Sequence, residues 1–452
     1  MLLRELRPLL RPLGPRKFTC LAILLTVLLG IYTLTPSYDA LRFSSLQDHW
    51  RPHRTEDTCT PQAYANGSWA YQPRTNATKM TSPEDALAFS GFEKCASSRE
   101  YFWHLAADKG AQYDRFPGAQ SWQWMPGAGC ELMKPLNPEA LVKLLVEDGG
   151  WYLVGDSVTE NHFFSLSCIL YPHVIATPDY TTNSHFDRAW PQNLYLSPSS
   201  PMIQSLSLPD GFDISTTALV TFRRIDILLS KQELIDIHSS IQAPGQTLND
   251  SSLFSDESVW TLPVDEYIAE FLAPLPKANH ATMVVSTGGH WTVTLFSKVS
   301  PPGIQSVLAL FNAAMQRWSQ RVQNSLLEAN RDLTSWRWGR PTRLARKRAV
   351  VRAYLPGHES CHTFREPWAE VQPFVWNWYN WGNIWEFNDI FERILAPKRT
   401  YPDIDFLPID RPARLRPDAH TTGDCLHIMA GAGVLEGWTH YIWHFLSRDN
   451  AR

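Results

Sequence analysis

At 452 residues the chain is long enough for one large or two ordinary domains, and 19 Trp within 12% aromatic residues call for a large core, sugar-stacking surfaces or both. Forty-one basic against 45 acidic side chains leave a net charge of −4, which excludes the basic footprint of a nucleic-acid binder. Thirty-three prolines with few low-complexity runs and no internal repeat indicate a loop-rich globular protein.

The amino terminus carries Arg4, Arg7, Arg11, Arg16 and Lys17 against the single acid Glu5, and then runs apolar from Phe18 to Leu34, broken only by Thr19, Thr26, Gly30 and Thr33. Such a run sits at the short end of what spans a bilayer, and the basic flank places its amino side in the cytoplasm. A cleaved signal peptide is the alternative, but Thr33-Leu34-Thr35-Pro36-Ser37 makes a poor small-residue cleavage site. The expected layout is a cytoplasmic tail over 1–17, a signal anchor over 18–35, a polar stem over 36–57 and a luminal catalytic domain over 58–452. That is a single-pass type II protein.

Two features agree with a luminal domain. Asn66, Asn76 and Asn249 each head an Asn-x-Ser/Thr glycosylation acceptor. Outside the span, Cys59, Cys95, Cys130, Cys168, Cys361 and Cys425 make an even set with 15 possible pairings, which the lumen would oxidise.

From Cys59 to Cys130 the pattern is irregular, with aromatic islands at 67–71 and 122–130. Pro138 to Val146 has helical spacing and leads to the apolar strand Trp151-Tyr152-Leu153-Val154. Gly155-Asp156-Ser157 follows, and then a helical pattern through Ile169. Ser157 is thereby expected at a strand's carboxyl end and a helix's amino end, where an α/β fold presents reactive groups and free N–H groups stabilise an oxyanion. A plain helix cap is the alternative reading of that serine. Apolar runs at 217–221, 282–286, 349–355 and 404–409 alternate with helical patterns, notably at 303–333 and 384–395. The alternation predicts an α/β domain with a mostly parallel sheet of about five strands.

Towards the carboxyl end, His358-Glu359-Ser360-Cys361-His362 matches the spacing of zinc proteases. Pro356-Gly357 breaks the helix such a site needs, and Cys361 is better used in a disulfide, so no metal is expected. The aromatic run from Phe374 to Trp385 reads as core, with stacking on sugar rings as the alternative. In Asp424-Cys425-Leu426-His427 the carboxylate can accept from imidazole Nδ1–H, leaving Nε2 to take a proton from Ser157; a helix N-cap aspartate with an incidental histidine is the alternative reading. Cys425 could pin that turn covalently.

These stretches together resemble the PC-esterase family, the SGNH-like group that includes trichome-birefringence-like polysaccharide O-acetyltransferases and sialic-acid O-acetyltransferases. The resemblance rests on Gly67-x-Trp69-x-Tyr71, Trp122-x-Trp124-x-Pro126 with Cys130, Gly155-Asp156-Ser157 with Asn161, and Arg416-Pro417-Asp418-x-His420 followed by Asp424-x-x-His427 and Trp438. Departures are Gln123, Glu160 and Ser286-Thr287-Gly288-Gly289-His290-Trp291, where Ser286 stands for the family asparagine. The resemblance implies an SGNH-hydrolase-like three-layer α/β/α domain, anchored in the Golgi or endoplasmic reticulum membrane, with Ser157, Asp424 and His427 catalytic. Gly155, Asp156, Asn161, Gly288, Gly289 and His290 are expected to serve the oxyanion or the substrate. The expected reaction is O-acetyl transfer to a glycan or polysaccharide from an acetyl donor such as acetyl-CoA or another acyl donor. No bound cofactor is expected, and a transporter supplying the donor is an expected partner. A glycan O-acetyl esterase with the same triad is the alternative, and a catalytically inactive glycan-binding protein a third reading.

Overall fold

Seven backbone segments carry an apolar or alternating pattern into one seven-stranded sheet, and the central one is the run that precedes Ser157. The computed structural model describes residues 59–182, 187, 189–242, 253–331, 345–374 and 378–450. Residues Asp57–Arg452 cluster as one compact unit. The expected tail, anchor and stem, and the acceptor Asn249, lie outside the described residues. No described helix is long and apolar enough to cross a membrane.

The strands are β1 (Ser68–Tyr71), β2 (Trp122–Met125), β3 (Gly150–Gly155), β4 (Val174–Thr177), β5 (Gln192–Leu196), β6 (Ala218–Arg224), β7 (His280–Ser286), β8 (Arg348–Arg352) and β9 (Ile404–Leu407). Helices of eight residues or more are α1 (Pro138–Glu147), α2 (Ser157–Ile169), α3 (Lys231–Ile241), α4 (Val264–Phe271), α5 (Ile304–Arg331), α6 (Ile384–Leu395) and α7 (Val434–Asn450). The large sheet has the order β4-β5-β6-β3-β7-β8-β9. Its last five members are parallel, and β5 runs antiparallel to both neighbours. The fold is thus mixed α/β with a mostly parallel central sheet.

All five expected strands are the five parallel ones, because strands buried on both faces read as continuous apolar runs. Every residue of β3 is buried. The two additional strands, β4 and β5, are short and half-exposed, and β5 alternates buried and intermediate positions through Gln192 and Asn193. Antiparallel strands wetted on one face carry no such run.

Caps fix where the helices begin. Asn137 accepts from the N–H of Ala140 at 2.8 Å with Pro138 in the first turn of α1, and Ser230 with Glu233 forms a reciprocal capping box on α3. Helix α2 packs on β3 and on α7, tied by His162 Nε2 to Thr439 at 3.0 Å and by Ser165 donating to Glu436 at 2.6 Å. Helix α5 packs against α3, α4 and α6. Since β3 lies between β6 and β7, the chain leaves it towards one sheet edge and later returns to the other side. Its carboxyl end is therefore the switch point where open α/β sheets form their clefts.

The small antiparallel pair β1–β2 brings two of the sequence's aromatic islands together, with Trp69 opposite Trp124. Arg416 stacks 4.5 Å from the Trp69 ring and makes a two-point ion pair with Asp418, both contacts at 2.9 Å and both side chains fully buried. The motif blocks at 67–71 and 416–420 thus meet as packing partners.

Candidate active site

Ser157 is the first residue of α2, and Asp156 is its N-cap, accepting from the N–H of Val158 at 3.0 Å. The capping role, the alternative reading of the serine, belongs to Asp156, which leaves the Ser157 hydroxyl available. Gly155 permits the turn, since a Cβ there would come within 2.4 Å of the Ser286 carbonyl and 2.3 Å of Thr159 Oγ1. Asp156 is buried, and its pKa is raised by that burial and by Asp226, against His290 and Arg224.

His427 Nε2 lies 2.7 Å from Ser157 Oγ, and His427 Nδ1 lies 2.6 Å from Asp424 Oδ2. The other carboxylate oxygen of Asp424 accepts from the N–H groups of Leu426 at 2.8 Å and His427 at 2.9 Å. Burial raises the Asp424 pKa, but the His427 hydrogen bond and charge and these backbone donors outweigh it and hold the carboxyl well below its ordinary value. An ionised Asp424 fixes the tautomer with the proton on Nδ1, so Nε2 faces the serine as an acceptor. The three side chains therefore stand in one hydrogen-bonded line.

Four contacts hold the turn that carries Asp424 and His427 and the segment around it. The disulfide Cys361–Cys425 bridges it to the Cys361–Thr363 turn, and the pairs Cys59–Cys130 and Cys95–Cys168 complete the set. Asn161 donates from Nδ2 to the Ile428 carbonyl at 2.8 Å, joining α2 to the segment after His427. Arg115 donates to the Asp418 carbonyl at 2.7 Å. Trp103 packs edge-on against the His427 ring, 5.2 Å between centroids.

The zinc-protease spacing at 358–362 does not become a metal site. His358 and His362 sit on no common helix: His358 bonds His420 Nε2 at 2.7 Å and donates to the Arg414 carbonyl at 3.0 Å, while His362 reaches the Thr421 carbonyl at 2.8 Å. Cys361, His362 and Cys425 place potential ligand atoms within 4.8 Å of one another, but the disulfide consumes both sulfurs.

A cleft of about 940 Å³ opens over Ser157. Of the residues expected around the oxyanion or substrate, Asn161, Gly289 and His290 line it. Asp156 is buried beneath it, Gly155 serves the turn, and Gly288 backs onto the Tyr354 ring, where a Cβ would come within 2.8 Å. The Asn161 amide nitrogen is committed to Ile428, which makes Asn161 a brace between the two halves of the triad. The N–H groups of Ser157 and Gly289 have no acceptor among the described residues. Ser286, which stands where the resemblance places an asparagine, is buried at the end of β7 with an unpartnered Oγ, and it does not line the cleft.

Several cleft residues were not expected at the site, Glu160 being only a departure from the family pattern. Glu160 is buried against Arg99 at 2.6 Å, Arg224 at 3.8 Å and Gln192 at 2.6 Å. Trp103 and Glu257 stand in short stretches with no motif to flag them, whereas Tyr379 and Trp381 belong to the aromatic run read as core. That run divides: Trp381 is buried yet faces the cleft, Tyr379 is 43% exposed in it, and Trp385 is exposed. Residues 375–377 of the run lie outside the described residues.

The buried histidines predict how stability responds to acid. Burial pushes His358 down to about 4 despite the Arg414 carbonyl, and burial with the Lys347 charge pushes His280 down to about 3. His162 and His420 are also pushed well below the ordinary value by burial. A histidine neutral when folded and protonated when unfolded stabilises the fold above about pH 6.5, and loses that contribution as pH falls towards its folded value. The buried carboxyls of Asp156 and Asp410, with raised values, act in the opposite sense but are fewer. The melting temperature should therefore fall steadily from pH 7 to pH 4.5, and a flat or rising profile by scanning calorimetry would contradict the neutral burial of these rings.

No protein-family model matches the sequence, and no curated protein matches it.

Proposed function

We propose that the chain is an SGNH-like enzyme of the PC-esterase group that O-acetylates glycans or polysaccharides through an acetyl-Ser157 intermediate. The observation that carries this reading is the Ser157–His427–Asp424 line, with contacts of 2.7 and 2.6 Å, at the mouth of a cleft beside the central strand's carboxyl end. The finer fold assignment, three layers with a nucleophile directly after the central strand and the acid–base pair in a late turn, is supported by the topology and by the spacing of Asp424 and His427.

In this mechanism His427 Nε2 takes the Ser157 proton as Oγ attacks the acetyl carbonyl carbon. The resulting oxyanion is met by the N–H groups of Ser157 and Gly289, each such donor contributing about 2.7–4 kcal/mol in comparable sites. As the intermediate collapses, the bond to the donor's leaving group breaks, and His427 returns the proton to that group. The acceptor hydroxyl then attacks acetyl-Ser157, giving its proton to His427. Cleavage of the ester bond returns the proton to Oγ, and the acetylated sugar departs. Asp424 stabilises the imidazolium at both stages. Water in place of the sugar makes the same site an esterase.

A luminal setting, in the Golgi or endoplasmic reticulum, is supported by the basic residues before Phe18, the three disulfides and the exposure of Asn66 and Asn76. The deciding experiment incubates the full-length chain with a labelled acetyl donor and a panel of glycans, following acetylated glycan and free acetate together. Label should enter glycan, and a donor-only reaction should place acetyl on the peptide containing Ser157. Net release of acetate from acetylated glycans without transfer would move the reading to the esterase. No label on Ser157 or on any glycan would eliminate the covalent mechanism.

A further inference from the structure

The disulfide Cys361–Cys425 differs from the other two in where it sits. Cys425 lines the catalytic cleft and is half-buried, whereas the other five paired cysteines are between 0% and 8% exposed. Thiol–disulfide exchange needs access to a sulfur, so a reductant entering the cleft meets this bond first. The chain also provides for the products of opening it. The N–H of Cys361 donates to Cys425 Sγ at 3.3 Å, which stabilises a thiolate there. The Asp424 carbonyl lies 3.5 Å from Cys361 Sγ, where it can accept from a thiol.

A third group stands at the same place, and an independent contact sets its chemistry. His362 lines the cleft, and with Cys361 and Cys425 it offers three potential metal-ligand atoms within 4.8 Å of one another. Its Nε2 lies 2.8 Å from the Thr421 carbonyl, which can only accept, so Nε2 carries the ring proton and Nδ1 keeps a lone pair. Nδ1 has no hydrogen-bond partner among the described residues. Metal-binding histidines donate their other ring N–H to a carbonyl or carboxylate in this way, which fixes the tautomer and aims the free nitrogen.

The covalent bond and a metal ask for different spacings. Two sulfurs in a disulfide stand about 2.05 Å apart, whereas two thiolates on one tetrahedral zinc, each at about 2.3 Å from it, stand about 3.8 Å apart. Cys361 is fully buried in its own turn, while Cys425 is half-buried between Asp424 and His427, so the added separation falls on the catalytic turn. That turn holds His427 Nε2 at 2.7 Å from Ser157 Oγ, and a misplacement of about 1 Å can cost about 10²-fold in rate.

We propose that a dithiol reductant opens Cys361–Cys425, and that the two freed cysteines and His362 then bind one zinc ion, which holds the triad in an inactive arrangement. A thiolate of the reductant attacks Cys425 Sγ, the S–S bond breaks, and Cys361 leaves as a thiolate and takes up a proton. The reductant's second thiolate attacks its own sulfur in the mixed disulfide, releases Cys425 and closes a disulfide in the reductant. Two electrons thus pass from the dithiol to the chain. On binding zinc the two cysteine thiols lose their protons to solvent, His362 supplies Nδ1, and water fills the fourth position. The metal site stands apart from the acetyl-transfer reading, whereas the loss of turnover rests on it.

The test treats the full-length chain with dithiothreitol for graded times, alkylates it and maps the labels by mass spectrometry. Cys361 and Cys425 should become labelled at least about tenfold faster than the cysteines of the other two pairs, since exchange follows access. Opening of either other pair as fast or faster would overturn the first step. Chain reduced to that stage and desalted without air should bind about one cobalt(II) with a thiolate-to-metal charge-transfer band, and zinc should displace the cobalt. The unreduced chain should show no band. His362→Ala, which leaves both cysteines in place, should weaken zinc binding by at least about tenfold. No band in the reduced chain, or unchanged zinc affinity in His362→Ala, would overturn the metal site. Acetylation of Ser157 by the reduced chain should be about 10²-fold slower with zinc than with EDTA, while the unreduced chain responds to neither. A reduced chain equally active with zinc and with EDTA would overturn the switch. A chain that never acquires acetyl, yet binds zinc through His362 once reduced, sinks the transferase and leaves the metal site.

Discussion

Ser157→Ala, His427→Ala and Asp424→Asn should each lower acetyl transfer by roughly 10⁴–10⁶-fold, and the Ser157→Ala/His427→Ala double variant should be little worse than the worse single one. The expectation follows from the line of contacts at 2.7 and 2.6 Å, since a serine without its base, or a base in the wrong tautomer, loses the same proton transfer. Asp424→Asn is the sharpest of the three. An amide at that position keeps the shape of the turn and the acceptor for the Leu426 and His427 N–H groups, yet it no longer compensates an imidazolium. Melting curves should show all three variants folded, because Ser157 and His427 are partly exposed and replace no core packing. Transfer rates within tenfold of the parent in Ser157→Ala would rule out serine as nucleophile.

Arg416→Ala should cost about 3–5 kcal/mol of folding stability, the usual penalty for stranding one partner of a buried ion pair. Both side chains of the Arg416–Asp418 pair are fully buried, and Arg416 also donates to the carbonyls of Ala119 and Ala432 and covers the Trp69 ring. Removing the guanidinium therefore leaves a buried carboxylate, two carbonyls and an aromatic face without their partner. Against a typical total of about 5–15 kcal/mol the loss is large, and it should appear as a shift of the denaturant midpoint. Arg416→Met with Asp418→Leu should recover part of the loss, because it removes the stranded charge as well. A midpoint equal to the parent's in Arg416→Ala would show that the pair contributes nothing to the fold. Asp418 lies six residues before Asp424, so the single variant should also lower activity by loosening the turn that carries His427.

Local residue pattern was enough to define the local pieces. A continuous apolar run between Gly150 and Gly155 reads as a buried strand, and the helical pattern after it places Ser157 at the strand-to-helix turn, although which residue caps that helix was decided by the fold. Asp424 and His427 were equally legible, since two residues between them suffice to join carboxylate and imidazole within one turn. The five parallel strands were legible for the same reason as β3, whereas β4 and β5 were not, because a half-wetted strand mixes polar and apolar residues.

Everything that depends on residues far apart meeting came from long-range packing. Ser157 and His427 are separated by 270 positions, and sheet order brings the β3 turn under the carboxyl-terminal segment, with Asn161 bonding across the joint. The six cysteines admitted 15 pairings, and only the packed chain selects three, placing Cys361 against Cys425 where the pair braces the catalytic turn. His358 and His362, ligand-like in spacing, turn to carbonyls and to His420 because no helix forms there to align them. The cleft walls were the least legible part. Glu257, Tyr379 and Trp381 come from segments with no shared pattern, and side chains gathered by long-range packing leave no periodic trace in the segments that supply them.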